Sequence, residues 1–109
     1  MARGIDNRPL QLQYIIFDPS DDGEGTGTWD AMASVRAEQL PEVMQEVQAV
    51  LAWAERHSPG PRGPLDEGGA WDADQLVQTE GDWTTVTLTI TGPWAWGESL
   101  VAAFAPPDA

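Results

Sequence analysis

Cysteine and lysine are both absent from this 109-residue chain, and histidine occurs once. Without cysteine there is no disulfide, no thiol nucleophile and no thiolate metal ligand. A reducing, cytoplasmic setting is the expectation that follows. Without lysine, only five arginines oppose eighteen acidic residues, and the formal charge is −13. So one-sided a field favours dispersal, repels nucleic acid and anionic membranes, and attracts basic surfaces. No apolar run reaches the length of a membrane span. Met1-Ala2-Arg3-Gly4 lacks the apolar stretch of a secretory signal.

What is present argues for a folded core. Hydrophobic residues make up 41% of the chain and six are tryptophan, too apolar for wholesale disorder. The length suits one acidic domain over 1–109, with a loose polar arm over 1–9. Leu10 to Phe17 begins by alternating and ends apolar, which predicts a strand. Asp18 to Gly25 is dense in turn formers and predicts a loop. From Thr26 to Arg36, Trp29, Ala31, Ala33 and Val35 alternate with Thr28, Asp30, Met32 and Ser34, predicting a second strand. Pro41 and Glu42 suit a first helical turn. Leu40, Val43, Met44, Val47, Val50, Leu51 and Ala54 then recur as one helical stripe, stopped by Pro59-Gly60.

Residues 58–70 hold three prolines and four glycines and predict a long loop. A strand over Asp74–Thr79, a tight connection at Glu80-Gly81-Asp82 and a strand over Trp83–Thr91 follow. In the last of these, Thr84, Val86, Leu88 and Ile90 oppose a face of threonines, the pattern of a sheet with one side buried. Trp96, Leu100, Val101 and Phe104 match a short final helix. The expected architecture is α+β in the order ββαββα, a four-stranded antiparallel sheet with two helices on one face.

Chemistry-bearing motifs are few. Asp18, Ser20, Asp22 and Gly23 occupy the first, third, fifth and sixth places of a calcium loop. The twelfth place is Trp29 instead of a bidentate glutamate, so an ordinary polar loop is the stronger reading. His57, at the end of the long helix, favours the helix dipole better than it makes a zinc site. Ser20, Ser34, Ser58 and Ser99 sit in no nucleophile turn. Gly23-Glu24-Gly25-Thr26-Gly27 lacks lysine and precedes a strand, both contrary to a phosphate cradle. No cofactor is implied.

The tryptophans are more informative. Trp53 lies off the apolar stripe beside Glu42 and Glu46. That trio could anchor a cationic partner, although a ring folded over the helix edge is the plainer reading. Trp83 shares the threonine face, where the 58–70 loop, with Leu65 and Trp71, could form a lid and a groove. Three functions compete: an acidic binding or inhibitory module for a basic protein, a small carboxylate-dependent enzyme with or without divalent-metal assistance, and an assembly protein pairing through its sheet. Charge favours the first, without direct nucleic-acid or membrane binding. Oligomeric state is not legible in the chain.

Overall fold

A computed structural model describes residues 12–104; the arm expected over 1–9 lies outside the described residues. The elements are β1 (Ile16–Asp21), β2 (Thr26–Arg36), α1 (Leu40–Arg56), β3 (Asp72–Glu80), β4 (Trp83–Pro93) and α2 (Trp94–Phe104). The four strands form one antiparallel sheet in the order β1-β2-β4-β3. Two ββα units therefore meet along the central β2–β4 pair. The order ββαββα and the α+β class agree with the pattern of the sequence.

Period-two patterning decides which side is covered. Trp29, Ala31, Ala33 and Val35 of β2 and Val86, Leu88 and Ile90 of β4 are buried under the helices. Helix α1 adds Val43, Val47, Val50 and Ala54, with Leu40, Met44 and Leu51 half-buried. Each large apolar side chain removed from water contributes roughly 1.5–3 kcal/mol. Pro41 and Glu42 occupy the first turn of α1 and Arg56 its last turn, and the His57 N–H closes on the Trp53 carbonyl at 2.9 Å.

Tryptophan supplies much of the bulk. Trp29 stacks on Trp94 at 5.2 Å between centroids, and Trp96 lies 5.5 Å from Trp71 and 6.2 Å from Trp53. The indole N–H groups of the buried Trp71 and the half-buried Trp96 donate to the Ser58 hydroxyl and the His57 carbonyl, so each ring keeps its polar atom satisfied. Gly27 makes room for this packing. A Cβ at that position would fall 2.5 Å from the Trp94 ring.

The sheet differs from the expected boundaries at its first strand. β1 begins at Ile16 and runs through Asp18-Pro19-Ser20-Asp21, the stretch expected to be loop. Pairing with β2, from Ile16↔Met32 to Asp21↔Gly27, outweighs the turn preference of those residues. Pro19 is tolerated because β1 is an edge strand. Upstream, residues 12–15 leave the ladder and pass over α1.

Glu46 explains that departure. Its carboxylate accepts the successive N–H groups of Gln13 (2.7 Å), Tyr14 (3.1 Å) and Ile15 (3.2 Å). Three N–H donors converging on one carboxylate replace the bonds a strand would have made. Glu46 is 3% exposed.

Candidate interaction surface

Among the described residues nothing covers the side of the sheet away from the helices, and strand register assembles its side chains into rows. Ile16, Met32, Thr87 and Leu76 stand side by side across all four strands. The three large apolar members are 78%, 61% and 54% exposed respectively for Ile16, Met32 and Leu76. Asp18, Asp30, Thr89 and Asp74 form the adjacent row. Asp30 accepts a hydrogen bond from the Thr89 hydroxyl at 2.9 Å, yet it also lies directly opposite Asp18. Like charges in that cross-strand relation oppose folding.

On the other flank of the apolar row, Ser34 and Thr85 share a hydrogen bond of 2.9 Å. Beyond them Arg36, Trp83 and Glu80 are register partners. The Arg36 guanidinium sits 4.9 Å from the Trp83 ring centroid. This cation–π contact leaves Trp83 47% exposed. Among the described residues the surface thus combines apolar side chains, one aromatic ring, several carboxylates and a single guanidinium engaged by that ring.

The residues singled out earlier are distributed differently. Glu42 is exposed on α1 and accepts a hydrogen bond from the Tyr14 hydroxyl. That bond, then burial, then the charges of Glu42 and Glu46 hold the Tyr14 phenol above its usual value of 10.0. Glu46 faces inward and is consumed by backbone donors. Trp53 is buried, stacked on His57 at 4.3 Å. The expected anchor of Glu42, Glu46 and Trp53 is therefore not a surface, because two of its three members belong to the core. The plainer reading of Trp53, a ring folded over the helix edge, describes it: the ring packs on His57 and Trp96.

The expected groove of Leu65, Trp71 and Trp83 is also corrected. Trp71 is fully buried on the helix side, whereas Trp83 is on the open side, so the sheet separates them. Leu65 begins a short 3-10 turn, Leu65–Glu67, inside the long loop. That loop packs along β3 instead of over the open face: the Gly63 N–H donates to the Trp71 carbonyl at 2.9 Å. The calcium-loop reading loses its loop. Asp18 and Ser20 are in β1, ~7 Å apart along an extended strand. The Asp22 carboxylate accepts from the Glu24 and Thr26 N–H groups. Among the described residues no three histidine, aspartate or glutamate side chains converge on one point.

A cavity of about 200 Å³ opens beside β3, lined by Leu51, Arg62, Ala73, Asp74, Gln75 and Leu88. No helix among the described residues is long and apolar enough to cross a membrane. No protein-family model, curated protein or solved structure matches the chain. The threonine alternation of 83–91 signalled an open side. The apolar and acidic rows were invisible, because a row exists only once four strands are in register.

Proposed function

We propose that this protein is a non-catalytic binding module whose uncovered sheet face docks a basic protein partner, in the manner of an inhibitor or adaptor. The observation that carries this reading is the juxtaposition of an exposed apolar row with a carboxylate row. An apolar centre supplies affinity and a charged border supplies orientation and on-rate. A partner presenting lysine or arginine around apolar side chains would relieve the opposition of Asp18 and Asp30 as it bound. Nucleic acid is the wrong sign of charge for this face.

The test compares two variants with equal charge change. The first carries Asp18→Asn, Asp30→Asn and Asp74→Asn on the face; the second carries Asp66→Asn and Glu67→Gln in the 58–70 loop and Glu98→Gln on α2. The probe is an amphipathic lysine–leucine peptide at low and moderate salt. Loss of three facing carboxylates should weaken binding ~10-fold or more, and the control roughly 2-fold or less. Equal loss in both variants would reduce the acidic face to a generic solubilising charge and overturn the proposal.

A further inference from the structure

The edge of β3 is the place where this face can be extended. Gly81 and Asp82 form a two-residue connection, with φ +62° at Gly81 and no positive φ at Asp82. In such a hairpin the flanking pair, Glu80 and Trp83, exchanges both backbone hydrogen bonds, and every second pair along the ladder does the same. The even-numbered residues of β3 therefore bond to β4. The N–H and C=O groups of Ala73, Gln75, Val77 and Thr79 point away from the sheet.

The chain itself uses the start of this edge and then stops. The Gly63 N–H bonds to the Trp71 carbonyl at 2.9 Å, and Arg62 and Trp71 form a parallel bridge. The Arg62 guanidinium donates to the Ala73 carbonyl at 3.1 Å, while the Ala73 N–H is taken by Asp72 at 2.9 Å. Beyond that point, among the described residues, no group bonds to the outward backbone of Gln75, Val77 or Thr79. The other edge is guarded, because Pro19 in the middle of β1 has no N–H to offer. β3 contains no proline, and Leu76 and Val77 are exposed on its two sides.

Charge selects the occupant. An antiparallel copy of β3 centred on Val77 would set Asp74 against Glu80 at both ends, which disfavours a second molecule of this chain. Asp72 is already met by Arg62 at 3.6 Å. Asp74 and Glu80 remain, on the open side, with Leu76 and Gln78 between them. Resting on the reading of this protein as a module for basic partners, we infer that an extended segment of the partner adds to β3 as a fifth strand. Its side chains on the open side would read cation, apolar, polar, cation against Asp74, Leu76, Gln78 and Glu80. On the helix side its apolar side chains would meet Val77 and the cavity beside Gln75.

The probe is a blocked heptapeptide, Lys-Thr-Leu-Val-Thr-Thr-Lys, with its antiparallel reversal as a second form, titrated into the full-length protein. The control peptides carry N-methyl groups on alternate amides, so they keep charge and shape but cannot pair. Strand addition slows hydrogen exchange at the Gln75, Val77 and Thr79 amides, and N-methylation of the bonding amides weakens binding ~10-fold or more. Val77→Pro, which deletes an outward N–H and spares the β3–β4 ladder, gives the same loss. The N-methyl series keeps the question answerable if that variant folds poorly. Equal affinity of plain and methylated peptides, with those amides unchanged, overturns strand addition. No heptapeptide binding at about 1 mM, with the lysine–leucine probe still lost selectively in the face variant, overturns strand addition alone. Failure of both probes removes the basic-partner reading as well.

Discussion

Replacing Glu46 with alanine removes one acceptor from three consecutive backbone donors. The Ile15 N–H is buried, whereas those of Gln13 and Tyr14 are partly accessible to water. A buried donor left unpaired costs ~2 kcal/mol, and the two partly hydrated donors ~1 kcal/mol each. The sum, about 4 kcal/mol, is a large share of the roughly 5–15 kcal/mol that holds a domain together. Urea unfolding should register it as a fall in midpoint of roughly 2–3 M. Glu46→Gln keeps one acceptor but turns an amide N–H₂ toward a donor, so a loss of ~2 kcal/mol is expected. Glu42→Ala, at an exposed position one turn away, should cost ~1 kcal/mol or less. Hydrogen exchange locates the damage: amides 13–15 should lose protection in Glu46→Ala and keep it in Glu42→Ala. An alanine cost of ~1 kcal/mol or less, or unchanged exchange at those amides, would refute the assignment of Glu46 as the clasp of this segment.

Three further outcomes follow from the same packing and electrostatics. Tyr14 is the only tyrosine, so absorbance near 295 nm during an alkaline titration should report its phenol alone, above the usual 10.0, with Glu42→Gln lowering it. Because the folded value is raised, the fold favours the neutral phenol; this contribution is complete below pH 10 and fades as pH climbs through the folded value. A midpoint at or below the usual value would contradict the Tyr14–Glu42 contact. Gly97→Ala should destabilise despite a better helix propensity, since its Cβ would fall 1.9 Å from the Trp29 ring. Overpacking of ~3 kcal/mol exceeds a propensity gain of ~1 kcal/mol, lowering Tm by roughly 10 °C, and an unchanged Tm would deny the close helix–ring approach. Trp71→Ala should cost ~3–5 kcal/mol in denaturant unfolding, whereas Trp83→Thr, on the open side, should cost ~1 kcal/mol or less; similar costs would mean that both sides of the sheet are covered.

Much of the architecture was written in local periodicity. The bounds of β2, Thr26–Arg36, follow from a clean alternation, and the stripe from Leu40 to Ala54 could only be one covered helix face. Local signals failed where a distant group outweighed them. Asp18-Pro19-Ser20-Asp21 has the composition of a turn, but β2 supplies a register partner for each residue. Glu46 looked like a surface carboxylate because its partners are backbone groups more than thirty residues away, and backbone donors leave no mark in composition. Trp71 and Trp83 were placed together because the 58–70 loop, which leads into Trp71, was expected to lie over the threonine face. Which side of the sheet each takes depends on strand parity, and that is decided only when β3 and β4 pair.

The open face conflicts with the economy of the rest of the molecule. On the helix side every buried side-chain polar atom among the described residues has a partner, and bulky rings meet glycines placed to receive them. On the other side, Ile16 and Met32 stand side by side in water, and among the described residues no salt bridge meets Asp18 or Asp30, which oppose each other. Selection for stability alone would set threonines or paired opposite charges at these positions, as it does at Ser34 and Thr85. A sequence consistent at every level except one contiguous surface is under a different demand at that surface. The mismatch has a definite chemical complement: apolar side chains to cover the row, and cations to separate the aspartates. The same complement extends to Asp74 and Glu80 at the unguarded edge of β3. On the reading proposed above, the face and the edge are two parts of the surface that one basic, partly extended partner would cover.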